Sequence, residues 1–579
     1  MIAFKKFCSV FFLIFFISLK SFSQGTWTPV TTPAPDYNGG VMLLLSNGTV
    51  ICKTYTGGTD SMGIVWDRLT PDTSGSYANG TWDTIAAMHD SRLYFSSQVL
   101  KDGRVYVAGG EYGTGGSRAE IYNPVTNKWT FAPNNSLNFS DANSEVLPDG
   151  KILQAVVGSG TQTIIYNPVT NTWGASHFCL GGHDESSWVK LADGSVLFID
   201  IGTRNSERYI PATNTWVVDA NLPVDIYDGF DFEMGAGFLL PDGRAWFLGG
   251  TGHTAYYTPS GSSSPGVWAA GPDIPLGYAT TDAAAAMMID GKILLCASPA
   301  PQTTGAYPSP TAYWEFDYLT NTYLQVPAPG GGGADTLSIP CYYTNMLDLP
   351  DGKVLYCNQG DLQYDIYTPA GTQLAAGEPT VATVTETACD TFRVTGTLFN
   401  GISGGAAYGD DWQMSTNRPI VRLMQGPYVY YTKTFNWNRT GVQTGNLADT
   451  VFFTIPSGLQ PGTYSLVLSA NGIGSVPQTF VYSLCGTDVA KNNNTNPTSL
   501  SVFPNPADEI VTLDFKTSST ENYTVKVLDI FGRIIKEETG RSSIGENAHT
   551  LNLAEFAKGV YTITLTQGES VSKTKLVLK

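Results

Sequence analysis

The sequence predicts an all-β protein: a seven-bladed β-propeller followed by two smaller β-sandwiches. Three observations carry this. A strand–turn–strand phrase returns seven times at intervals of 55, 47, 44, 49, 48 and 61 residues, the mark of a repeat architecture. The composition, with 62 Gly, 30 Tyr, 27 Phe and 12 Trp, suits many short strands joined by tight turns. A lone strand near the N-terminus matches the one that the last repeat lacks.

Residues 1–23 predict a secretory signal peptide. Lys5 and Lys6 precede an apolar run from Phe7 to Leu19, and Ser21-Phe22-Ser23 offers small residues for cleavage before Gln24. Those 13 residues are too few to cross ~30 Å of hydrocarbon as a helix. No other stretch is long and apolar enough to be a transmembrane span, so an exported protein is expected.

Residues 24–377 carry the repeat. Its turns are Ser46-Asn47-Gly48, Lys101-Asp102-Gly103, Pro148-Asp149-Gly150, Ala192-Asp193-Gly194, Pro241-Asp242-Gly243, Ile289-Asp290-Gly291 and Pro350-Asp351-Gly352. Asp-Gly between apolar runs predicts a hairpin turn with both central residues at positive φ. Each repeat closes on a strand bearing an aromatic: Trp82, Trp129, Trp173, Trp216, Trp268 and Tyr323. The seventh runs out at Tyr367-Thr368-Pro369, and "GTWTPV" around Trp27 is the spare strand that would close the ring and remove its open edges.

Alternating segments over residues 378–486 predict a β-sandwich. Within them, Arg418 and Arg422 are expected to pair with Asp410 and Asp411 and to anchor the sandwich on the propeller. Residues 487–498 form a polar, Asn-rich linker, and residues 499–579 a small β-domain. Seven cysteines remain after cleavage, none in a C-x-x-C pair; Cys389 and Cys485 bracket the first sandwich and are the expected disulfide, leaving at least one unpaired thiol. The formal charge of −18, from 50 acidic and 32 basic residues, argues against nucleic acid as a partner.

The last domain resembles the type A sorting domain of the type IX secretion system in "LSVFPNPADEIVTLDF", "VKVLDIFGRII", "GVYTITL" and the basic close "KTKLVLK". That resemblance implies handling by the secretion machinery and a location outside the cell or on its outer surface. Residues 25 to 485 resemble the galactose oxidase and glyoxal oxidase superfamily, a kelch-like propeller followed by an immunoglobulin-like early-set domain. "LYFSSQVLKDGRVYVAGG" matches the segment that bears the radical-forming tyrosine, here Tyr94, and "CYYTNMLDLPDGKVL" the segment that pairs an axial tyrosine with a copper-binding histidine. Here that pair is Tyr342-Tyr343. The cysteine that crosslinks to the radical tyrosine is missing near Gly39-Gly40, the second histidine's place falls at Thr440, and the stacking tryptophan becomes Tyr112; no histidine lies between residues 254 and 548. Copper sites of this family need imidazoles, so copper is not expected.

Tyr94 sits nine residues before its hairpin glycine, and the same position in the other repeats gives Gly39, Asp141, Glu185, Met234, Asp282 and Tyr343, with Glu233 and Tyr342 one residue earlier. The family places this position at the mouth of the central channel. The loops after Gly109-Gly110 and Gly249-Gly250 would add Tyr112 and His253, and His183 and Asp184 flank Glu185. Three readings stand. These groups are solvated loop residues; or they bind a glycan, with tyrosine faces on the sugar and carboxylates accepting from its hydroxyls; or they form a catalytic or cation site, in which calcium relieves the carboxylate repulsion or one acid stays protonated. Tyr94, Glu185 and Glu233 are the catalytic candidates, for an oxidase with a rebuilt metal site or a glycan-cleaving enzyme. The binding reading makes the chain an exported glycan-recognition protein, and a purely structural one makes the propeller an adhesion module.

Overall fold

In the computed structural model the described residues are 24–158, 161–330, 332–405, 416–442, 446–484, 500–529, 532–568 and 570–579. The expected signal peptide and linker, Asp410, Asp411 and Cys485 lie outside them. The chain divides into two compact units, the first ending at Tyr482 and the second beginning at Ser483. The described residues contain strands and three short 3-10 turns, and no α-helix.

Seven antiparallel sheets carry the repeat, and their innermost strands are Asn38–Leu44, Ser96–Val99, Ser144–Val146, Trp188–Lys190, Met234–Leu239, Ala285–Met287 and Thr344–Asp348. The last sheet is completed by Thr26–Pro29, which pairs in register with Tyr364–Thr368, Trp27 opposite Tyr367. The arrangement is that of a propeller closed by its N-terminal strand.

The aromatic that ends each repeat rivets its sheet to the one before. Trp129 Nε1 donates to Ala86 O at 2.7 Å, Trp173 Nε1 to Pro133 O at 2.8 Å, Trp216 Nε1 to Thr163 Oγ1 at 2.9 Å and Trp268 Nε1 to Ser206 Oγ at 3.0 Å. Tyr323 OH donates to Pro272 O. Trp27 reaches Pro327 O of the sixth sheet at 2.7 Å, and Trp82 reaches Thr32 O beside the closing strand at 2.9 Å. The succession therefore runs round without a break. Trp66, Trp188, Trp246 and Trp314 are fully buried within the sheets and the layers between them.

The hairpin turns differ in detail from expectation. Glycine alone has positive φ, between 79° and 89° in all seven turns: Gly48, Gly103, Gly150, Gly194, Gly243, Gly291 and Gly352. In the first, Gly48 N–H donates to Leu45 O at 3.0 Å and Leu45 N–H to Thr49 O at 2.8 Å, a three-residue loop with glycine at the left-handed bulge position. The residue before the glycine is selected by its side chain, which accepts the backbone N–H two residues on: Asn47 from Thr49, Asp102 from Arg104, Asp149 from Lys151, Asp193 from Ser195, Asp242 from Arg244 and Asp290 from Lys292.

The first sandwich stacks a sheet built on Thr380–Ala388, Thr391–Thr397, Lys433–Phe435 and Asp449–Thr454 against one built on Ile420–Gln425, Tyr428–Tyr431, Gly462–Ala470 and Gln478–Tyr482. It sits at the hairpin end of the propeller. Thr434 N–H donates to Ser46 O at 3.0 Å and Thr440 Oγ1 to Leu147 O at 3.0 Å, while Gly404–Gly405 adds a strand to Met234–Leu239. Arg418 anchors the contact by donating to Leu44 O. Cys389 is disulfide-bonded, and Cys52, Cys179, Cys296, Cys341 and Cys357 are free and buried. The second unit pairs Leu500–Phe503, Ile510–Thr517 and Gly545–Asn552 in one sheet and Asn522–Leu528, Ile534–Arg541, Gly559–Gln567 and Ser570–Leu578 in another.

Candidate functional site

At the end opposite the hairpins, the chain enters four of the seven innermost strands through an unusual residue. Tyr94, Asp141, Glu185 and Asp282 occupy the same repeat position, and all four hold left-handed backbone, with φ of 53°, 51°, 50° and 52°. Non-glycine residues avoid this region at a cost of roughly 1–2 kcal/mol each, and such strain clusters at functional sites.

Three of them meet in a cavity of about 310 Å³, lined by Met62, Leu93, Tyr94, Glu111, Tyr112, Glu185, Glu233, Asp282, Tyr307 and Tyr342. Glu185, Glu233 and Asp282 bring carboxylate oxygens within 4.8 Å of one another; Glu233 and Asp282 are buried and Glu185 half-buried. The Glu233 loop is held from below by Asp228, which accepts N–H groups from Phe230, Asp231 and Glu233 at 2.8–2.9 Å. The backbone of Asp282 donates to Met234 O at 2.9 Å.

The aromatic wall is braced from several sheets. Tyr94 OH donates to Gln359 Oε1 at 3.2 Å, and Tyr55 OH to the same oxygen at 3.1 Å. The Tyr112 ring meets Tyr94 edge-on at 6.1 Å, its loop fixed by the pairing of Leu93 with Tyr112. Tyr342 lies between Tyr307, at 4.8 Å, and Tyr343, at 4.4 Å. Tyr343 backs this cluster and is not among the lining residues.

Four lining residues escaped the sequence reading, the apolar Met62 and Leu93 and the polar Glu111 and Tyr307. Glu111 follows Gly109-Gly110 directly, and its position beside the expected Tyr112 was the available signal. Partial burial and the negative charges of Asp141, Glu233 and Asp184 push its carboxyl up to about 7, against a hydrogen bond from Tyr112. Tyr307 sits in a long loop of the sixth sheet that no periodicity marks. Gly305 N–H docks this loop on Asp231 at 2.7 Å, and Tyr307 OH donates to Glu233 Oε1 at 3.2 Å. Burial and the charges of Asp282 and Glu233 push the Tyr307 phenol up. Asp141 is buried just outside the lining, next to Asp184, whose acid is pushed up to about 6 by burial and by Asp141.

The two histidines are not brought to the mouth. His183 is fully buried between Phe198, at 4.3 Å, and Trp216, at 5.2 Å, with Nε2 2.9 Å from Cys179 Sγ. Burial pushes its imidazole down to about 3. His253 lies on the outside, its Nδ1 2.8 Å from Asp273. Its loop has only residues 250–253 between strands Ala245–Gly249 and Thr254–Thr258, too short to fold over the mouth as the loop after Gly109-Gly110 does. Thr440, aligned with the oxidases' second histidine, is at the opposite end of the propeller against Val146 and Leu147 carbonyls.

Comparison with known proteins follows the two units. Residues 501–579 match the family model of the secretion system C-terminal sorting domain. The second unit is a secretion sorting domain. It marks the protein as secreted or attached to the outer surface. Residues 97–136 match the kelch motif. No curated protein matches the chain by sequence. Among solved structures, a fungal alcohol oxidase of the AA5 family, in complex with copper, aligns over 80% of this chain and 100% of its own at a TM-score of 0.50 and 15% identity. That likeness is one of fold. Among the described residues, no helix is long and apolar enough to cross a membrane.

The lining residues do not fit copper. Apart from the lone Met62 thioether they offer carboxylates and phenols, without an imidazole or thiolate, and the carboxylates suit hard cations such as calcium or magnesium. Glu185, Glu233 and Asp282 are the residues able to ligate one.

Proposed function

We propose that this is an exported glycan-binding protein that receives a sugar at the propeller mouth, with the sandwich, of the immunoglobulin-like kind, as its base. The observation that supports this most is the composition of the mouth: tyrosine rings of Tyr94, Tyr112, Tyr307 and Tyr342 face Glu111, Glu185, Glu233 and Asp282 in one recess. A sugar has apolar C–H faces that aromatic rings cover and hydroxyls that carboxylates accept from. The recess is at the small end of ligand sites, which favours a chain terminus of about one or two sugar units. Its negative charge selects neutral or amino sugars over uronic acids.

Binding to an immobilised glycan panel, followed by titration calorimetry, tests this. The wild type is expected to retain neutral glycans, and the Glu185→Gln/Glu233→Gln double variant to lose at least tenfold in affinity. Equal binding by both would move the site away from the mouth. Repeating the titration with calcium and with a chelator reports whether a cation takes part.

A second reading, a glycan-cleaving enzyme, draws on Glu111. A carboxyl pushed up to about 7 beside other carboxylates has the character of a general acid. Release of reducing ends from a bound glycan, abolished by Glu111→Gln with binding retained, would favour that reading over simple recognition.

A further inference from the structure

Two phenylalanines at the edge of the mouth gain little from folding. Phe230 is 39% and Phe232 47% exposed, in the connection between strands Thr215–Val218 and Met234–Leu239 that ends on Glu233. Phe232 also holds left-handed backbone, with φ of 68°, where a bulky side chain is an outlier. Glycine would relieve that strain, and a half-exposed ring recovers only part of what burial would give. Single exposed apolar residues are commonplace. An exposed ring on strained backbone next to a recess calls for something that covers it.

The two rings are fixed in place. Asp228 accepts the N–H groups of Phe230 and Glu233, each at 2.8 Å, so both ends of the segment are tied to one carboxylate. The long loop of the sixth sheet runs beside it: Gly305 N–H donates to Asp231 at 2.7 Å and Tyr307 OH to Glu233 at 3.2 Å. The Phe232 ring rests against Gly202, where an added Cβ would lie 2.9 Å from its Cδ1. Glu233 is buried and lines the recess. Phe232 and Phe230 follow outward along the same segment, their Cα atoms no more than ~11 Å from that of Glu233.

The recess, at about 310 Å³, admits only the end of a glycan chain. A chain that leaves it past Glu233 crosses the two rings. We propose that Phe230 and Phe232 form a second aromatic subsite, stacking on the sugar units that follow the one held in the recess, so that the protein selects the end of an oligosaccharide or polysaccharide over a free mono- or disaccharide. This length preference rests on the glycan reading of the mouth. Stacking covers the C–H faces of a sugar without reading its hydroxyls, so the rim supplies affinity and the carboxylates supply discrimination.

Calorimetric titration of the full exported chain tests this, with paired two-unit and six-unit oligosaccharides of cellulose, xylan, mannan and chitin. For the chain type that binds, the wild type should hold the six-unit form about tenfold tighter than the two-unit form. The Phe230→Ala/Phe232→Ala variant should lose that gain, and Phe232→Tyr, which keeps a ring, should retain it. Should the double variant fail to fold, the wild-type ratio and Phe232→Ala alone still decide. Equal affinity for both lengths in the wild type, or an undiminished gain in the alanine variants, would overturn the subsite and leave the glycan reading in place. Failure of the wild type to bind any of these probes would overturn both.

Discussion

The two ends of the propeller use the same backbone conformation for opposite ends. Each repeat turns once at the hairpin, always through a left-handed residue, and once at the mouth, where four of the seven repeats use one. At the hairpin that residue is glycine in all seven sheets, where it costs little. At the mouth it is Tyr94, Asp141, Glu185 or Asp282 in four of them, and three of these, Tyr94, Glu185 and Asp282, accept the strain while lining the cavity. Where a fold needs only a turn, the least strained residue fills it. Where it needs chemistry, the strained one persists.

Breaking the hairpin end should have the largest effect where the sandwich presses on it. A Cβ added to Gly48 would lie 2.3 Å from Tyr431 of the sandwich, whereas one on Gly243 meets nothing within 4 Å. Gly243→Ala carries only the backbone penalty, about 1 kcal/mol. Gly48→Ala adds overpacking and should cost about 2–4 kcal/mol in total. Chemical denaturation of the two variants measures the difference, and equal costs would mean that Tyr431 moves aside freely.

The mouth should respond in the reverse sense. Glu185→Gly removes the left-handed penalty while adding flexibility to the unfolded chain, so stability should stay within about 1 kcal/mol of wild type. Glu185→Val keeps the strain and adds β-branching, and should cost about 1–2 kcal/mol. Both should lose glycan binding. Denaturation midpoints that fall equally for the two would show that the Glu185 backbone is unstrained.

The hairpin end was legible in the sequence almost to the residue, because its determinants are local. Asp-Gly turns, period-two strands and the aromatic that closes each repeat act over a few neighbouring positions, and the missing strand of the last repeat located its substitute at Trp27. Only the turn type was misjudged, since an Asx bond lets the residue before glycine keep ordinary backbone. The mouth was legible where the repeat itself carries the residue, as at Glu185, Glu233 and Asp282. It was not where a loop decides. His253 follows a Gly-Gly as Tyr112 does, yet four loop residues hold it outside. Tyr307 reaches Glu233 from 74 residues away, through a loop contact that spacing does not encode. His183 beside Glu185 carried the polar signature of a site residue, but the adjacent Trp188 and the facing Trp216 make it part of the core.

The crowding of carboxylates gives the mouth a pH signature of its own. Glu111 is pushed up to about 7 and Asp184 to about 6, both by burial first and then by Asp141. Between the ordinary carboxylate range near pH 4 and these raised values, the folded chain holds protons that the unfolded chain has released. The proton difference between unfolded and folded states is then negative, so stability falls as pH rises through this window. His183 acts in the opposite direction: its pKa, lowered to about 3 by burial, favours the folded state as pH rises towards the ordinary imidazole value. The two contributions separate by subtraction. Wild type and Glu111→Gln share His183, so the stability of wild type relative to the variant should decline from pH 5 upwards, most steeply between about pH 5 and 6.5, and level off above pH 7. A flat difference across that range would mean that Glu111 ionises as a free rim carboxylate, and the acid–base reading of the mouth would go with it.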